Sequence, residues 1–177
     1  MCGNFTIRIA VESDIRFVQT IVTEIDHAAQ DPATGICRRS ASLLIRKIEE
    51  GLAVIALSPS GEWAGFCYIQ EWDEGRFVSS CALVTAPKYR STGIAAAIKQ
   101  KIFELARLRY PNATLFGLTT SAAVMKINTQ LGYIPVPYSE ITKDTGFWNS
   151  CQGCQHYDIL ERKKRTNCLC TAMLYPH

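Results

Sequence analysis

Apolar positions along this chain follow two rhythms. Over Phe5-Thr6-Ile7-Arg8-Ile9 they alternate, which predicts a first strand. From Ile15 they recur at three- and four-residue steps, through Val18, Ile21, Val22 and Ile25, which predicts a helix started by the polar group Glu12, Ser13 and Asp14. Residues 26 to 42 lack a period. A second helix is predicted over Leu43 to Ile48, closed by Gly51. Leu52 to Leu57, Trp63 to Glu71 and Arg76 to Val84 are strand-like, separated by the turn clusters Ser58-Pro59-Ser60-Gly61 and Asp73-Glu74-Gly75. They form an antiparallel meander. The helical step returns with Ile94, Ala97, Ile98, Lys101, Ile102, Leu105 and Leu108, and Tyr110-Pro111-Asn112 ends it. Ala113 to Thr120 is a further strand. A helix then carries Val124, Ile127 and Leu131 on one face and stops at Gly132.

The tail is less regular. Phe147-Trp148 precedes a polar loop with Cys151 and Cys154. His156 to Leu160 is strand-like, Glu161 to Asn167 is a charged turn, and Cys168 opens a last strand running to Tyr175. Residues 147–177 are thus expected to form a Cys-rich hairpin within a single domain covering 1–177.

The 177 residues are 47% hydrophobic and 20% charged, enough for a real core. A net charge of +3 is too mild to argue for nucleic acid, and suits an anionic small ligand. No apolar run spans a bilayer. No signal-peptide core precedes the first strand, so a cytoplasmic protein with reduced thiols is expected despite eight cysteines.

The most informative stretch lies between the third meander strand and the long helix: Val84-Thr85-Ala86-Pro87-Lys88-Tyr89-Arg90-Ser91-Thr92-Gly93-Ile94-Ala95. A helix start concentrates unpaired N–H groups and positive dipole charge. Gly93 lets an anion approach the backbone, Ala95 keeps the next turn small, and Arg90 adds charge. A phosphate or diphosphate fits there. The structural alternative is a glycine that serves only helix-on-sheet packing.

The spacing Arg-x-x-Gly-x-Ala, with Pro87-Lys88-Tyr89-Arg90 before it, resembles the diphosphate loop of the GNAT acyltransferase superfamily. The opening "IRIAVESDIRFV" and the closing Leu131-Gly132-Tyr133 resemble the same family at the right order and distance. The resemblance implies an α/β (α+β) fold with a mixed sheet of about seven strands, helices on both faces, and two parallel strands splayed at the cofactor. It implies acetyl-CoA or another acyl-CoA, held by Leu83, Val84, Thr85, Arg90, Ser91, Thr92, Gly93, Ile94 and Ala95. It also implies transfer of the acyl group to an amine by direct attack. The tail, with Thr34-Gly35-Ile36 and Arg38-Arg39, resembles a bacterial subgroup associated with arginine biosynthesis, which implies an amino-acid acceptor. A homodimer is compatible with all of this.

An amine must be neutral to attack. At pH 7 that costs roughly 4.6 kcal/mol for a lysine-like amine and about 1 kcal/mol for an α-amine. Glu71, with Asp73 and Glu74 behind it, is the carboxylate expected to take the proton. The family's usual tyrosine acid falls on Asn128 here. Tyr133, Tyr138 or water then protonates the leaving thiolate, or it leaves unassisted, and Asn128 is free to hydrogen-bond the cofactor. Arg38 and Arg39 suit an acceptor carboxylate, or are solvated surface charges. Cys81 has no neighbouring base and is expected to pack or to line the acyl tunnel. Cys151, Cys154, Cys168 and Cys170 supply four thiols, enough for a structural zinc, or pack as small hydrophobes. Two other readings stay open: a CoA-binding sensor without turnover, and a zinc-stabilised interaction module.

Overall fold

The computed structural model describes residues 4–176. Its strands are β1 (Thr6–Ile9), β2 (Ala53–Leu57), β3 (Trp63–Trp72), β4 (Phe77–Thr85), β5 (Thr114–Thr119), β6 (Ile134–Pro135) and β7 (Thr171–Tyr175). Its helices are α1 (Val18–Gln30), α2 (Ala41–Glu49), α3 (Ile94–Arg109), α4 (Ala122–Gln130), α5 (Thr145–Ser150) and α6 (Tyr157–Arg162). The strands make one seven-stranded sheet in the order β1-β2-β3-β4-β5-β7-β6. All neighbours are antiparallel except β4 and β5.

The two faces of the sheet follow from side-chain alternation. On one side Val54, Ala56, Ala64 and Cys67 pack under α3 through Ile94, Ile98, Ile102 and Leu105. On the other, Ala53, Ile55, Phe66 and Tyr68 pack under α1 and α2 through Val18, Ile21, Ile25, Leu44 and Ile48. Both faces of β2 are covered, so all five of its residues are buried. Gly65 sets how close α3 comes: a Cβ there would lie 2.6 Å from Ile98 Cδ1. Leu108 does not belong to the buried face of α3. It is 77% exposed, while Leu105 and Ala106 of the same turn face the core.

The entry to α1 is fixed by one ion pair. Asp14, 1% exposed, receives Arg8 NH1 at 2.6 Å and NH2 at 2.9 Å, and the Val11 N–H at 2.8 Å. Burial alone would raise the Asp14 pKa, but the Arg8 fork and the Val11 N–H outweigh it and hold the carboxyl below its ordinary value. A lowered carboxyl pKa stabilises the fold above the ordinary carboxylate range and loses that effect as pH falls through the lowered value. Asp14→Asn is therefore expected to cost about 2 kcal/mol at pH 7. Urea midpoints of variant and parent should converge as the pH is taken from 5 toward 3.

The tail departs from the expected hairpin. Phe147 and Trp148 lie on α5, and residues 157 to 162 are helical. The apolar run around Ile159 and Leu160 is short enough to suit either period. What decides is that Leu160 faces the core while Asp158 and Arg162 pair across one turn at 2.9 Å. β7 starts only at Thr171, so Cys168 and Cys170 precede the strand and do not share a strand face. A third core joins this tail to the sheet, with Phe116, Tyr138, Ile141, Phe147, Trp148 and Leu160.

Candidate functional site

β4 and β5 pair over only three positions, Phe77 to Ser79 against Thr114 to Phe116. Beyond them the strands part. β4 also carries a bulge: Phe66 pairs with Val84 and Tyr68 with Cys81, so Cys67 alone opposes Ala82 and Leu83. Ala82 adopts a φ of 53°, uncommon for a residue with a Cβ. Bulge and divergence together open a cavity of about 360 Å³.

Of the expected cofactor residues, Leu83, Val84, Thr85, Arg90 and Asn128 line this cavity. Ser91, Thr92, Gly93, Ile94 and Ala95 form the turn into α3 rather than its wall. Ser91 has a φ of 62° and Gly93, the residue capping α3, a φ of 88°. The capping residue of α3, Gly93, has no side chain of its own to cap the helix, and Ile94 turns its side chain into the core. Thr92 Oγ1 donates to Tyr89 O at 2.7 Å. Arg90 pairs with Glu24 of α1 at 2.6 Å, so its charge is held by a carboxylate at the same end of the cavity.

The expected catalytic groups are mostly elsewhere. Glu71 is exposed, in a shallow groove with Arg46, Arg109 and Tyr110. The reason is strand direction. β3 runs antiparallel to β4, so Glu71 lies beside Val78 at the start of β4, while the turn into α3 leaves its end. Tyr133 is 5% exposed, stacked among Phe103 and Tyr175, and burial raises its pKa. It is a core residue and a weak acid, and it is not on the cavity wall. Tyr138 stacks on Trp148 and donates to Cys170 O at 2.8 Å, also away from the cavity. Only Asn128 reaches it. This side chain is 2% exposed, its Nδ2 lies 3.6 Å from Met173 Sδ, and its Oδ1 is buried without a hydrogen-bond donor. An orphaned buried acceptor is costly, and a ligand N–H in the cavity would satisfy it.

A second cavity of about 130 Å³ adjoins the first and shares Gly35, Ile36, Ser80, Ala82 and Leu118 with it. Arg39 lines it. Its Nε donates to Tyr68 Oη at 2.9 Å and its NH1 to Arg38 O at 3.0 Å. Arg38 itself is exposed and lines neither cavity.

The remaining wall is rich in thiols. Cys37, Cys81, Cys151, Cys154, Cys168 and Cys170 all line the second cavity. Cys81 is therefore a lining residue of the second cavity. Cys151 and Arg39 nearby lower the Cys37 pKa from its ordinary value, against the effect of burial. The thiols hydrogen-bond and pack around a space. Among the described residues, no group of three or more His, Cys, Asp or Glu side chains is arranged to hold a metal ion. Cys151, Cys154, Cys168 and Cys170 thus do not fit the zinc expectation. No helix among the described residues is long and apolar enough to cross a membrane.

Two charged residues on the first cavity escaped the sequence reading, Glu24 and Lys99. Glu24 carried no signal. Lys99 carried none either, since it opens the polar stretch Lys99-Gln100-Lys101.

No family model matches the chain, and no curated protein matches it in sequence. Solved structures do match in fold. The N-acetylglutamate synthase of Neisseria gonorrhoeae, complexed with coenzyme A and N-acetyl-glutamate, has a TM-score of 0.67 at 17% identity, over 97% of this chain and 35% of that one. Rv2747 of Mycobacterium tuberculosis, in complex with CoA, has a TM-score of 0.68 at 16% identity, over 97% and 99%. A GNAT superfamily phosphinothricin acetyltransferase from Sinorhizobium meliloti, in complex with AcCoA, has 0.64 at 15% identity, over 98% and 87%. The chain thus spans about a third of the Neisseria protein and nearly all of the Mycobacterium one.

Proposed function

From the GNAT fold of this chain, we propose that it is an acyl-CoA-dependent N-acyltransferase. It moves an acyl group, acetyl in the simplest case, to the amine of a small amino-acid acceptor in a ternary complex. The observation that carries this reading is the wedge between β4 and β5, which reaches Thr85 and Arg90 at the turn into α3, where the capping residue is Gly93. Diphosphate at that helix start and a pantetheine arm along Thr85, Val84 and Leu83 would fill it. Asn128 Oδ1 would accept from an amide of that arm. The likeness to structures holding CoA or AcCoA supports the donor, and that to an N-acetylglutamate synthase supports an α-amino acid as acceptor.

The acceptor enters from the second cavity. There Arg39 offers a guanidinium with no carboxylate partner among the described residues, held in place by Tyr68. A bidentate pair with an acceptor carboxylate fits that geometry. An α-amine needs little help to lose its proton, so the absence of a carboxylate base at the inner end of the wedge is tolerable. A role in arginine biosynthesis belongs to the same proposal.

Calorimetric titration with acetyl-CoA, succinyl-CoA and free CoA tests the donor, and failure of all three to bind rejects the reading. Arg39→Ala then tests the acceptor. It is expected to raise the acceptor KM by about a hundred-fold, the loss of one charge-assisted pair, with donor affinity unchanged. An unchanged acceptor KM would remove Arg39 from the site. Asn128 standing where an ionisable group is expected favours one other reading, a CoA-binding protein without turnover. Product formation over an amino-acid panel separates the two.

A further inference from the structure

Lys99 is a buried cation that the acyl-CoA reading leaves without a role. It sits on the inner side of α3, 3% exposed, and still lines the large cavity. Its Nζ donates to Ser80 Oγ at 2.6 Å and stands 5.6 Å from the centre of the Tyr133 ring. No carboxylate of the described residues forms an ion pair with it. Taking an ammonium out of water is costly, and one hydroxyl and one ring face recover little of that cost. An anion arriving in the cavity would recover much more.

The dimensions say which part of the ligand arrives there. From Thr85 back to Ser80 the bulge leaves the length of four steps of the partner strand, Gly65 to Ile69, about 13 Å. A pantetheine arm has some twelve bonds between its phosphate oxygen and its sulfur, and at backbone spacing it reaches about 15 Å. With diphosphate at the turn into α3, the sulfur comes level with Ser80, where Lys99 Nζ is anchored. At this inner end the other polar side chains give no proton readily. Asn128 does not ionise, and Glu24 and Arg90 are paired with each other at the outer end.

We propose that Lys99 is a catalytic residue: its ammonium faces the thioester sulfur and protonates it as coenzyme A departs. The inference rests on the acyl-CoA reading. The acceptor nitrogen forms the new C–N bond to the acyl carbon, and the C–S bond then breaks with its electron pair going to sulfur. A proton passes from Lys99 Nζ to that sulfur. The acylated nitrogen loses one proton to water and Lys99 regains one from water, so the sum is amide plus CoA thiol. Burial lowers the Lys99 pKa from its ordinary value, which makes it a better acid. Burial in turn pushes the Cys67 thiol up to about 12, so it stays neutral while CoA titrates. Tyr133, raised by burial, also stays neutral.

The test compares CoA with desulfo-CoA by calorimetry from pH 6 to 10, in buffers of different ionisation enthalpy. A free thiol of this type titrates near about 8.5. In the parent protein, CoA is expected to bind about ten-fold more tightly than desulfo-CoA at pH 8.5, with proton release. The advantage should rise as the thiol ionises and fall again as Lys99 loses its own proton. Lys99→Gln should bring the two ligands to equal affinity and lower kcat by about a hundred-fold at unchanged acceptor KM. Lys99→Arg should keep the thiolate advantage. Equal binding of CoA and desulfo-CoA by the parent protein at every pH overturns the proposal, and needs no variant to fold. Binding of neither ligand overturns the acyl-CoA reading, and this inference with it.

Discussion

Gly93→Glu abolishes coenzyme binding, by a hundred-fold or more in Kd, while the protein stays folded: that is the largest functional effect expected of a single substitution here. The capping residue of α3 has a φ of 88° and no side chain over the helix start. Glutamate at that φ costs about 1 kcal/mol of backbone strain. Its carboxylate then lies against the positive helix end, which offsets part of that strain. The same carboxylate occupies the place proposed for diphosphate and repels it. Stability and binding should therefore separate. A melting curve would shift by a few degrees, whereas calorimetry with acetyl-CoA would show no heat of binding. Gly93→Ala carries the strain without the charge and should keep most of the affinity. If Gly93→Glu binds as the parent does, the diphosphate lies elsewhere.

Phe116→Ala is the corresponding prediction for stability. Phe116 is 0% exposed and meets Phe77 at 5.9 Å and Phe147 at 5.0 Å, both edge-on. It is the point where β5 receives the tail core of Tyr138, Trp148 and Leu160. Removing a buried phenyl ring costs about 3–5 kcal/mol, because the transfer term is joined by an unfilled cavity. For a chain of this size that is a fall in Tm of about 10 °C. The measurement is thermal or urea unfolding followed by tryptophan fluorescence. A loss below about 1 kcal/mol would mean that α5 and α6 collapse onto the gap.

The strands from β1 to β5 and the helices α1 to α4 were legible because each carries a clean period and a clear stop. The turn into α3 was legible because glycine at a helix start is a main-chain requirement that shows in the sequence. The tail was not. Ile159-Leu160 is too short for its period to decide, and the deciding contacts, from Leu160 to Phe116 and its neighbours, join residues far apart in the chain. The position of the expected base was hidden in a different way. Glu71 looked well placed beside a turn, but a meander alternates strand ends, and the sequence does not show which end faces the ligand. Lys99 was hidden by its helix. One lysine among Lys99, Lys101 and the nearby arginines is buried, and only the packing of α3 against Ser80 selects it.

Three paired positions between β4 and β5 are all that hold the two parts of the sheet together edge to edge. The opening that makes room for a ligand is thus also a seam. On one side lie β1 to β4, and on the other β5, β7 and β6. Fluctuations of the empty protein should concentrate along that line as a breathing motion, so the amide protons of Leu118 and Thr119 are expected to exchange faster than those of β2, which has partners on both edges. A linear molecule with its own amide groups, lying in the seam, would act as the missing strand segment. It would couple the two parts mechanically, and the exchange of both strand ends would slow together.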